Sequence, residues 1–126
     1  NCASYFLILG DIDDKKDINK IINTIGKENA ISLGDMSIKQ LIPIISSADM
    51  YIGNDSFGQH VLCQSGKPSF VLLLDTPSAY SEYSINQHQI LPEGISIENI
   101  THDSAYEPNM IKVEDVLNKV LISLQK

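Results

Sequence analysis

The chain contains no arginine, only two cysteines, and no apolar run long enough to cross a bilayer. Without arginine, nine lysines stand against sixteen acidic residues, and the formal charge is −7. That balance lacks the basic footprint on which sequence-independent nucleic-acid binding depends, so no nucleic-acid partner is expected. Any bound anion must be held mainly by backbone amides and a few side chains. Cys2 and Cys63 make neither a disulfide framework nor a metal-ligand pattern. Cys63 falls inside an apolar helical pattern and reads as a small core hydrophobe. No stretch reaches the ~18 apolar residues of a membrane span, and the amino terminus has no signal-peptide layout, so the reading is cytoplasmic. The chain opens four residues before a strand and without an initiator Met, the layout of a fragment of a longer protein.

What is present suits one ordinary domain spanning residues 1–126. Apolar residues make up 43% and charged residues 20%, which argues against disorder. Strand and helix signals alternate through the first two-thirds. Tyr5 to Leu9 form a short apolar run closed by Gly10, the pattern of a strand buried on both faces. Asp11 to Asp14 can cap the helix in which Ile18, Ile21, Ile22 and Ile25 recur, with Gly26 as its stop. Ala30 to Leu33 make a second strand. Ser37 caps a helix bearing Ile38, Leu41, Ile42, Ile44 and Ile45, and Pro43 should kink it or set off its first turn. Met50 to Ile52 predict a third strand, 56–65 a helix stopped by Gly66 and Pro68, and Phe70 to Leu74 the most apolar strand. Residues 78–109 read as irregular loop with one short strand. A final amphipathic helix runs from Lys112, carrying Val113, Val116, Leu117, Val120, Leu121 and Leu124. Such alternation implies a three-layer α/β domain: a mostly parallel sheet with helices on both faces, where ligands gather at the carboxyl ends of the strands.

The segment Gly53-Asn54-Asp55-Ser56-Phe57-Gly58-Gln59-His60 lies where a strand hands over to a helix. The free amides of a helix's first turn converge on one spot, and the helix dipole behind them favours an anion such as phosphate. Ser56 can add a hydroxyl and His60 a ring N–H or a positive charge. The plainer reading of the same residues is a capped helix with a surface histidine.

Asp55-Ser56-x-x-x-His60 after an apolar strand, then a helix ending Gly66-Lys67-Pro68, another apolar strand and Thr76-Pro77, resembles the carboxy-terminal half of glycosyltransferase family 9. Leu33-Gly34-Asp35-Met36-Ser37-Ile38-Lys39-Gln40-Leu41 is similar to that family's L-x-G-x-T/S-L-x-E-L segment. Ile44 to Asp49 resemble its lead-in to the hallmark strand, and Met110 to Val116 its final helix start. These enzymes are the heptosyltransferases of lipopolysaccharide core assembly. The resemblance therefore implies a Rossmann-like half of a GT-B fold that binds a nucleotide-diphosphate-sugar donor, an ADP-heptose-like molecule. It further implies inverting transfer with no metal and no resident cofactor, the nucleotide sugar being substrate. Asp55, Ser56, Phe57 and Gly58 map onto the contacts to donor phosphates and sugar, and His60 onto the position near the diphosphate, where its role would be electrostatic. Met36 occupies the place of the side chain against the adenine, and Asp13 or Asp14 lie where an acid can take the ribose hydroxyls. The parent protein would work at the cytoplasmic side, peripheral to the inner membrane.

Two departures qualify the match. Phe57 stands where the family has Gly, with Gly58 one place later, and a side chain there would crowd the backbone's approach to a diphosphate. The family's first strand of this half and its base-bearing acceptor domain have no counterpart in the sequence, so the isolated chain is expected to be inactive. In the family's sheet order the missing strand is central. A homo-oligomer, a partner strand or an altered order is then expected to close the gap. The alternative is a non-catalytic nucleotide-binding or structural module of the same fold. A serine hydrolase elbow built on Ser56 fails because Asn54 stands where a Gly is needed. A phospho-receiver reading fails because Lys67-Pro68 follows Asp55 too closely. His88 and His102 read as solvated loop histidines without metal-ligand spacing, and Tyr80 and Tyr83 as pocket-lining or partly buried rings.

Overall fold

A two-stranded parallel sheet begins the chain, with β1 (Phe6–Ile8) beside β2 (Ala30–Ser32) in a register that sets Phe6 against Ala30 and Ile8 against Ser32. The computed structural model describes residues 4–126, so Cys2 lies outside the described residues. The chain divides into one unit ending at Ile44 and a second starting at Ile45.

In the first unit a single 3-10 turn, Ile12–Asp14, leads into α1 (Lys15–Ile25). The turn is closed by a reciprocal pair of hydrogen bonds: the Asp13 amide donates to Asp11 Oδ1 at 3.0 Å, and the Asp11 amide donates to Asp14 Oδ2 at 3.1 Å. This satisfies amides that would otherwise be orphaned at a helix start. Ile18 is buried, and a Cβ on Gly10, two residues after β1, would meet its Cδ1 at 2.8 Å, so a residue without a side chain fits there. Gly26, at φ +104°, stops α1 in a conformation that other residues rarely adopt.

The division between the units falls within α2 (Ile38–Ser47). The Gln40 side chain reaches back to accept from both the amide and the hydroxyl of Ser37, at 2.9 Å each, the side-chain half of a capping box. Pro43 sits inside a helix that continues unbroken through it, so no separate first turn forms.

The second unit holds β3 (Tyr51–Asn54), α3 (Phe57–Gln64), β4 (Ser69–Leu72), β5 (Gln87–Ile90) and α4 (Val113–Leu124). Its sheet is wholly parallel in the order β3-β4-β5. Strand β4 is its centre and is covered on both sides. Phe70 packs with Ile90 and with Val116 and Val120 of α4, while Val71 and Leu73 pack with Ile95, Ile97, Ile100 and Tyr106. Because side chains alternate along a strand, Ser69 shares the Val71 face, and its hydroxyl donates to the Gln59 carbonyl of α3 at 3.3 Å. Helix α4 is pinned by Lys119 Nζ, which donates to the Gln89 carbonyl at 2.5 Å, and by the Lys112–Glu93 pair at 2.6 Å.

The parallel α/β character read from the sequence is thus present, with one difference. Among the described residues five strands form two sheets, of two and three strands, and not one. Among the described residues no strand pairs with the second edge of β1 or of β3, and strands without a shared neighbour cannot be joined by a common ladder. A second correction concerns His88. It lies in β5 and not in a loop, stacked on Phe70 with ring centroids 5.0 Å apart.

Candidate anion site at the start of helix α3

The site is made by the last turn of β3 and the first of α3. Gly53 leaves room for the Tyr51 side chain. A Cβ at position 53 would stand 2.7 Å from the Tyr51 hydroxyl oxygen. With glycine, that hydroxyl lies over the strand end, donates to the Asn54 carbonyl at 2.8 Å and meets Ser56 Oγ at 2.9 Å. Burial pushes the Tyr51 phenol above its ordinary value, the Ser56 bond opposes this, and the neighbouring Asp55 adds to it. The phenol therefore stays protonated and remains a donor at neutral pH.

Ser56 is the N-cap residue, in extended conformation, but its side chain makes no cap bond because it is turned to Tyr51. The first backbone bond of α3 is from the His60 amide to the Ser56 carbonyl, at 3.4 Å. The amides of Phe57, Gly58 and Gln59 have no protein acceptor among the described residues. Gly58 and Gln59 are buried, whereas Phe57 is 40% exposed.

Asp55 turns its carboxylate along the helix. Oδ1 accepts from Gln59 Nε2 at 2.8 Å and lies 3.1 Å from His60 Nε2, with the Asp55 side chain 9% exposed. Because a carboxylate only accepts, His60 carries its proton on Nε2, and Nδ1 then accepts from the Tyr83 hydroxyl at 2.7 Å. The two rings stack with an interplanar angle of 13°. Burial raises the Tyr83 phenol, and the nearby Cys63 raises it further. Gln59, fully buried, is the hub of this group: its Oε1 accepts from Gln87 Nε2 of β5 at 3.0 Å while its amide serves Asp55.

Asp55, Ser56, Phe57, Gly58 and His60 are therefore contiguous in one half-turn-and-helix, all in the second unit. Asp13, Asp14 and Met36 belong to the first unit. Asp14 Oδ2 is occupied in the Asp11 cap, and Met36 is 37% exposed in the turn after β2. No Ser56–His60 pair exists, since the serine goes to Tyr51 and both imidazole nitrogens go elsewhere. Among the described residues no cluster of three or more His, Cys, Asp or Glu stands ready for a metal ion, and no helix is long and apolar enough to cross a membrane. His102 is exposed and meets Tyr80 edge-on at 5.7 Å.

Two members of the network escape a reading of the sequence. Gln59 carried a signal: it shares the buried i, i+3, i+4 positions of α3 with Leu62 and Cys63, and a polar residue on such a face must have partners. Tyr83 was legible as a pocket-lining or partly buried ring, but its bond to His60 was not, because the two are 23 residues apart. Comparison with known proteins gives no match, whether to a family model, to a curated protein or to a solved structure.

Proposed function

We propose that this chain is the donor-binding half of a glycosyltransferase resembling family 9, holding a nucleoside diphosphate sugar at the amino terminus of α3. The observation that carries the reading is the run of three amides, Phe57 to Gln59, at the head of α3 with no protein acceptor. Such amides with the helix dipole behind them suit a diphosphate in a chain otherwise poor in cations. His60 acts through Asp55 in this arrangement. Its Nε2–H holds the carboxylate along the helix through Oδ1, and Asp55 Oδ2 stays available for a sugar hydroxyl. Departure of the nucleoside diphosphate would be eased by the amide donors at the head of α3. Deprotonation of the acceptor hydroxyl would fall to a carboxylate of an acceptor domain. The parent protein would act at the cytoplasmic face of the membrane, in cell-surface glycan assembly.

A second reading, a nucleotide-binding or structural module without catalysis, is favoured by Phe57, a half-exposed side chain on the first residue of α3, and by Asp14, whose carboxylate is already engaged. Titration with ADP, followed residue by residue by NMR, separates nucleotide binding from a purely structural role. Donor binding predicts shifts in the amides of residues 54–60. Their absence at millimolar ADP supports the structural module.

A further inference from the structure

We propose that the recess at the other end of α3 binds a neutral, polyhydroxylated small molecule of about monosaccharide size. It has a volume of about 350 Å³ and is lined by Cys63, Gln64, Gly66, Tyr83, Ser84 and Asn86. That volume is at the small end of the roughly 300–1,000 Å³ typical of ligand sites. None of the lining side chains carries a full charge, so an ion placed there would lack the partner that its desolvation demands. What the lining offers is a mixture of donors and acceptors around an aromatic wall.

The Asn86 side-chain amide has no partner among the described residues and presents both a donor and an acceptor. Ser84 Oγ accepts from the Asn86 backbone amide at 3.1 Å, which leaves its own hydrogen to give. Tyr83 spends its hydrogen on His60 Nδ1, interacts with Gln64 and Cys63 beside it, and exposes nearly half of its surface. Gly66, at φ +77°, is exposed, and nothing stands within 4 Å of where a Cβ would lie, so this side of the recess is open to solvent. The wall is built in advance of any ligand: the Ser84 amide donates to Gln87 Oε1, the Gln87 amide donates to the Ser84 carbonyl, and the Gln87 side chain is anchored on buried Gln59. Alternating donors and acceptors beside an apolar ring match vicinal hydroxyls on a sugar or cyclitol.

This inference does not rest on the nucleotide reading, because the recess and the diphosphate cradle are at opposite ends of α3. The test is an NMR titration of the full chain with glucose, galactose, mannose and myo-inositol, each to ~100 mM, with sodium phosphate as the ionic control. Expected are saturable shifts in Gly66, Tyr83, Ser84 and Asn86 and in the His60 ring nitrogens, since Tyr83 reports on its partner. Asn86→Ala and Tyr83→Phe, each checked for an otherwise unchanged spectrum, should weaken binding about tenfold, the worth of one hydrogen bond. No saturable shift with any of the four polyols, stronger shifts with phosphate, or equal binding by folded variants overturns the proposal. ADP shifts at residues 54–60 test the other end independently.

Discussion

Gln59 shows how much one buried polar side chain can hold. It joins Asp55 on its own helix to Gln87 on β5 and is fully buried. Gln59→Leu keeps the volume but leaves the Gln87 amide without its acceptor and Asp55 with His60 as its one remaining side-chain donor. A loss of about 1–3 kcal/mol is expected in urea unfolding; an unchanged midpoint would mean that the network is not formed. His88 gives a second residue-scale prediction. Burial, then Lys119 and Lys126, lowers its pKa from the ordinary value of 6.5. The unfolded chain therefore binds the proton more readily than the folded one, so stability is fully present above about pH 6.5 and falls as the pH drops through the folded value. His88→Phe, which retains a ring against Phe70, should flatten the decline in urea midpoint between pH 7.5 and pH 5. At this scale the sequence was informative where neighbours are local, as at Asp55 and His60. It pointed to Tyr83 as a pocket-lining or partly buried ring but not to its partner His60, a contact made only after the chain has folded.

At the scale of elements, α4 separates burial from pattern. Its apolar arc includes Val116 and Val120, which pack on Phe70 and Ile90, and also Val113, Leu117 and Leu121, which are 76%, 53% and 45% exposed. Periodicity identified the helix but could not say which part of the arc is covered. Val120→Ala should cost about 1.5–2 kcal/mol, from two methylene equivalents at about 0.8 kcal/mol each, whereas Leu117→Ser should stay within about 0.5 kcal/mol. Equal losses in thermal or urea unfolding would contradict the packing described. Strand β5 was harder to read for a different reason. Gln87 and Gln89 lie on its inward face and are satisfied by Gln59 and by Ser78 and Ser81, so an apolar alternation never appears in the sequence. The strands β1 to β4 and all four helices were legible because their apolar residues, glycine stops and caps agree with one another.

At the scale of the whole molecule, the free edges of β1 and β3 carry exposed apolar residues, Phe6 at 43% and Ile52 at 48%. Unpaired parallel edges of this kind invite another strand. The chain is expected to self-associate, with an apparent mass in sedimentation equilibrium that rises with concentration, and Ile52→Lys should reduce the rise; a concentration-independent monomer would show that the edges are tolerated. The claim on which the functional account depends is that α3 begins with donors for a diphosphate. Its most direct test compares ADP with adenosine by calorimetry on the same sample. The account predicts that ADP binds at least about tenfold more tightly, a difference of 1.4 kcal/mol assigned to the phosphates; equal affinities, or no heat from ADP at millimolar concentration, would contradict it.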